Sequence, residues 1–65
     1  MILERMKMNK VYFFVEEYDP DLGFWETTSE YFDHKDDAFR EKNMMTQSWG
    51  HLYQYRIVKQ TTEIL

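Results

Sequence analysis

The chain has no cysteine. That absence excludes a disulfide staple, a thiolate nucleophile and any thiolate-ligated metal site, and it fits a reducing compartment. Proline occurs once, at Pro20, and glycine twice, at Gly23 and Gly50. With so little of either there is no linker, no low-complexity tract and no glycine-rich phosphate loop. No apolar run is long enough to span a membrane. The first ten residues, MILERMKMNK, are too short and too charged for a signal h-region. A soluble, cytoplasmic protein is the expectation.

Basic residues are also outnumbered, eight against twelve acids, for a net charge of −4. The imbalance is local. Between Glu16 and Asp37 lie nine acids and a single base, Lys35. Such a segment repels phosphate backbones, and nucleic acid is not an expected partner. One reading is a solvated surface that keeps the protein soluble. The sharper reading is an acidic face aimed at a basic partner, such as the DNA channel of an enzyme.

What the chain does have is aromatic residues: five Phe, five Tyr and two Trp among 65 residues. A chain of this length makes one domain and buries only about 60% of its unfolded surface. Small domains therefore add a staple. With disulfides excluded, large aromatic side chains and association with a second copy remain.

The segment Lys10–Tyr18 reads as a strand on its β-branched and aromatic content. DPDLG, residues 19–23, is a turn, with Pro20 presetting φ and Gly23 free to take a positive φ. A second strand is expected over Phe24–Phe32. Asp33 is the expected N-cap of a helix with Asp36 and Asp37 in its first turn, and Gly50 the expected residue after its end. Ala38, Met45 and Trp49, with the stem of Lys42, form the helix stripe that should pack on the sheet. A third strand is expected over His51–Lys59. Residues 1–9 read as a flexible extension and residues 60–65 as a polar tail around a single domain, 10–59. The fold class is α+β: a ββαβ chain whose three-stranded antiparallel sheet has the order 2-1-3, with one helix on one face.

VYFFV, residues 11–15, is apolar on both faces, and one helix covers only one of them. Tyr12, Phe14, Trp25, Tyr53 and Tyr55 are the candidates for an open aromatic face that a second copy would cover as a homodimer.

Candidates for chemistry are few. Asp33, His34, Asp36 and Asp37 have carboxylates close enough for a hard cation, but a helix N-terminus explains them all, and no metal or other cofactor is expected. No nucleophile and base fall at a working spacing, so the chain does not read as an enzyme. Aromatics on an open sheet can stack bases, which leaves a small RNA binder as one alternative. A structural or assembly protein, whose aromatic face only holds an oligomer together, is another.

The element order over residues 10–59, with its acidic hairpin, resembles the short dimeric uracil-DNA glycosylase inhibitors of tailed phages. That resemblance implies a homodimer that grips its target enzyme with helix aromatics. Phe39 is the matching aromatic; one turn on stands Asn43, followed by Met44. The expected function is a non-catalytic protein-binding module that inhibits a nucleic-acid-processing host enzyme by mimicking DNA. Its charge would come from Glu16, Glu17, Asp19, Asp21, Glu26, Glu30, Asp36 and Asp37, and its apolar anchor from Phe39 and Met44.

Overall fold

The computed structural model describes residues 8–64. Its elements follow the order β1 (Met8–Asp19), β2 (Phe24–Thr27), α1 (Lys35–Trp49) and β3 (Gln54–Ile64). The sheet is antiparallel throughout, in the order β2-β1-β3. The α+β ββαβ architecture and the central place of VYFFV are as the sequence implied.

The first turn forms as its residues dictate. The Asp19 carboxylate accepts the Asp21 N–H at 2.9 Å. The Asp19 carbonyl accepts the Gly23 N–H at 2.8 Å, and Gly23 sits at φ 78°. That φ belongs to glycine because a Cβ would crowd the backbone there.

β2 is shorter than expected. It ends at Thr27, opposite Glu16, and the chain rejoins β1 only where Phe32 bridges Phe13. The chain takes two residues more between Thr27 and Phe32 than β1 takes between Glu16 and Phe13. The extra length forms a bulge. Ser29 makes it affordable: its Oγ accepts the Val15 N–H at 2.8 Å in place of a backbone carbonyl. The Thr28 N–H donates to the Val15 carbonyl at 3.0 Å.

The helix begins one residue late. His34, not Asp33, occupies the N-cap position, and it makes no side-chain capping bond. Phe32 is held by its bridge to Phe13, and the Asp33 carboxylate turns to Lys10 at 3.5 Å. At the other end Gly50 stays right-handed, at φ −63°, with its N–H on the Thr46 carbonyl at 2.8 Å. Glycine is required there by close approach: a Cβ would collide with the Thr46 carbonyl oxygen.

β3 starts later and ends later than expected. The N–H groups of Leu52 and Tyr53 are taken by the Trp49 carbonyl at 2.9 Å, so pairing starts only at Gln54. It then continues past Lys59. Gln60–Ile64, expected as a tail, pairs with Met8–Tyr12. Of the expected extension, residues 1–7 lie outside the described residues, and Met8 and Asn9 open β1. Beyond Phe13 the described sheet is a two-stranded ribbon. The radius of gyration, 15.9 Å, exceeds the roughly 11 Å of a compact chain this long.

The core is small. Among the described residues only Phe14, Val15 and Ala38 are buried. Directly opposed residues in an antiparallel pair share a face, and the register sorts them. Val15 with Ile57, Phe13 with Lys59 and Glu17 with Tyr55 face the helix. Phe14 with Val58, Glu16 with Arg56 and Tyr12 with Gln60 face away. Ala38 lets the helix approach, and Met45 and Lys42 are half-buried along the same stripe. Trp49 is not part of it: at the last helical residue it is 53% exposed.

Candidate functional site

The open face is partly covered by its own chain. The bulge swings Tyr31 over Phe14, with ring centroids 4.8 Å apart and stacked, and beside Tyr12 at 5.9 Å. Further along, the Arg56 guanidinium lies 4.0 Å over the Trp25 ring. It also holds Glu16 through two nitrogens, at 2.7 and 2.8 Å. Trp25 in turn packs on Tyr18 at 5.3 Å. Of the expected dimer face, Tyr12, Phe14 and Trp25 lie on this side. Tyr55 does not: it stands opposite Glu17 on the helix side and donates its hydroxyl to that carboxylate at 2.7 Å. Tyr53 lies in the connection before β3. β3 gives the open face Gln54, Arg56, Val58 and Gln60 instead.

The expected acidic surface is divided. Glu16 is spent on Arg56, Glu17 on Tyr55, and Asp37 faces Arg40 at 3.6 Å. Glu26 stands directly opposite Glu17, a like-charge pairing that costs stability. Asp19 and Asp21 sit at the turn, Glu30 in the bulge and Asp36 in the first helical turn. The expected anchor is divided too. Phe39 and Met44 are both exposed, at 42% and 59%, but five residues place them about 140° apart around the helix.

Two regions do gather residues. The first is one end of the sheet. The β1–β2 turn follows Tyr18, which pairs with Gln54, the first residue of β3. The turn and the α1–β3 connection therefore emerge at the same end. Four large apolar residues stand there, each just over half exposed: Leu22 and Phe24 from the turn, Trp49 and Leu52 from the helix end and connection. Asp19 and Asp21 border them.

The second region is a groove of about 420 Å³ between α1 and β3. Phe13, Phe39 and Ile57 form its apolar floor, and Lys35, Lys42 and Lys59 stand around it. Three of the five lysines of an acidic chain thus converge on one place. The Lys35 ammonium sits 5.5 Å over the Phe39 ring. Among the described residues none of the three meets a carboxylate at ion-pair distance. Tyr55 closes one side. Partial burial, and then the hydrogen bond to Glu17, push its phenol up to about 12.

Neither region was singled out in the sequence, yet both left a signal there. Leu22 is an apolar residue inside an acidic turn. Lys35, Phe39 and Lys42 follow the spacing of one helical stripe. Among the described residues no three His, Asp or Glu side chains converge as metal ligands. No described helix is long and apolar enough to cross a membrane. No family model, curated protein or solved structure matches the chain.

Proposed function

We propose that the chain is a non-catalytic protein-binding module that works by presenting the apolar, acid-bordered end of its sheet. One observation carries this reading. Only three described residues are buried, while Leu22, Phe24, Trp49 and Leu52 stand more than half exposed at one end. A domain with so little apolar area to spare gains nothing by exposing four large side chains together unless a partner covers them. Large aromatics near the centre of a patch are the residues that anchor interfaces.

The charge around the patch suggests the partner's chemistry. Asp19 and Asp21 border it, and Glu26, two residues beyond Phe24 on β2, carries no ion pair among the described residues. A basic protein surface fits these carboxylates, and the DNA channel of a nucleic-acid-processing enzyme is the most specific form of that reading. The chain would then inhibit by occupying the channel. Relative to the sequence expectation, the anchor moves from Phe39 and Met44 to the end of the sheet.

The test is capture of a partner by the purified chain, compared with the Leu22→Ser/Phe24→Ser variant. Both substitutions lie at exposed positions, so the circular dichroism spectrum should be unchanged while binding weakens by about tenfold or more. Raising the salt should weaken binding further, and a DNA duplex should displace the captured protein. If the variant binds as well as the parent chain, the end of the sheet is not the interface. If binding survives salt and DNA, the partner does not use a nucleic-acid channel.

A further inference from the structure

The groove between α1 and β3 shares no lining residue with the end of the sheet and presents a second surface of its own. Its floor is apolar and its rim carries three lysines without carboxylate partners among the described residues. It is not built for a small ligand. Small-ligand pockets fix orientation with placed polar groups, and no described polar side chain is buried. Its lysines are mobile point charges, suited to carboxylates in several positions. What fits is a protruding segment that is apolar and acidic at once.

The chain carries one. The turn Asp19–Phe24 projects Asp21, Leu22 and Phe24 into solvent, with Leu22 55% and Phe24 51% exposed. The turn is held rigid by Pro20, by the Asp19 carboxylate on the Asp21 N–H and by the Asp19 carbonyl on the Gly23 N–H. A preformed segment loses little freedom on docking. It cannot reach its own groove, because the turn is fixed at the end of the β1–β2 pair while the groove lies along the side of the helix. We propose that the groove receives the β1–β2 turn of a second copy of this chain, with Leu22 and Phe24 on the floor and Asp21 among the lysines. The contact joins two different patches, so it is heterologous and repeats, closing into a ring or continuing as a filament.

Two variants test this, each disabling one patch at exposed positions. Lys35→Glu/Lys59→Glu reverses the groove and leaves the end of the sheet intact. Asp21→Lys/Leu22→Lys alters the turn and leaves the groove intact. Sedimentation equilibrium of the parent chain should show concentration-dependent association beyond a dimer. Each variant alone should weaken association by about tenfold or more. Mixed in equal amounts, the two variants should form a one-to-one complex that grows no further, because each retains one working patch. A parent chain that stays monomeric at millimolar concentration overturns the proposal. So does association that both variants leave unchanged, which would assign it to the open sheet face, and so does a mixture that stays monomeric. Because the turn serves both contacts, self-association competes with partner capture: Lys35→Glu/Lys59→Glu loses self-association yet captures the partner at least as well as the parent chain, whereas Asp21→Lys/Leu22→Lys loses both.

Discussion

The two faces of this sheet are nearly equal in apolar content and very unequal in how they are covered. Val11, Phe13 and Val15 look toward the helix, and Val15 is fully buried. Tyr12 and Phe14 look away from it, yet Phe14 is only 5% exposed. On the first face cover comes from a whole element docked through Ala38. On the second it comes from single side chains: Tyr31 stacked on Phe14, and Arg56 laid across Trp25 while holding Glu16. A helix excludes water over many residues at once, and its packing is cooperative. A bulge and an arginine protect only what they touch. The chain thus avoids a fully open aromatic face without a second layer, and this lessens the need for a second copy at that place.

The largest expected effect tests the helix-covered face. Val15→Ala removes two methyl groups from the only large side chain that is wholly enclosed among the described residues. A loss of about 2–3 kcal/mol is expected for a deletion of this kind at a closed site. The whole domain has only about 3–10 kcal/mol to lose. Urea denaturation followed by circular dichroism should show the midpoint fall by a large fraction. Val58→Ala makes the same deletion on the other face, at the half-buried residue opposite Phe14, and should cost about half as much. Equal losses would mean that the two faces are equally well covered.

A smaller effect tests the stack. Tyr31→Ala removes the ring over Phe14, and an aromatic pair contributes about 0.5–1.5 kcal/mol beyond its area. A loss near 1 kcal/mol, independent of protein concentration, is expected. A loss that shrinks as concentration rises would assign the cover of Phe14 to a second copy instead.

The strands, the turn and the helix were legible in the sequence because each rests on local chemistry: β-branched and aromatic runs, Pro20 and Gly23, and the acids at the helix start; the sheet order then followed from the ββαβ succession with every pair antiparallel. The misplaced boundaries share a different cause. Asp33 has the chemistry of a cap, but Phe32 is already tied to Phe13, and the side chain goes to Lys10. Ser29 reads as one more strand residue until its hydroxyl takes the Val15 N–H, a contact 14 positions away. Gln60–Ile64 reads as a tail until the start of β1 is seen beside it. The acids count as the sequence says, but three of them, Glu16, Glu17 and Asp37, are engaged within the chain by Arg56, Tyr55 and Arg40. Long-range pairing decided all of these except the Arg40–Asp37 contact, an i,i+3 pair within the helix.

The smallest effect is a titration, and it reports on the groove side of the helix-covered face. The Tyr55 phenol is raised to about 12, chiefly by partial burial and then by its hydrogen bond to Glu17; an unperturbed tyrosine titrates near 10. A group whose folded pKa is raised favours the protonated native state. Its contribution is therefore complete below pH 10 and is lost as pH climbs from about 10 to about 12. Absorbance at the phenolate band should show a tyrosine ionising near pH 12, and Tyr55→Phe should remove that step. The variant loses one hydrogen bond to a half-buried carboxylate, so Glu17 is left facing Glu26 without it. Urea unfolding should show the parent chain losing stability relative to Tyr55→Phe across that window and nowhere below it. A difference that persisted unchanged from pH 7 to pH 12 would mean the hydroxyl acts by packing alone, and that the helix protects this edge of the sheet no better than Arg56 protects the other face.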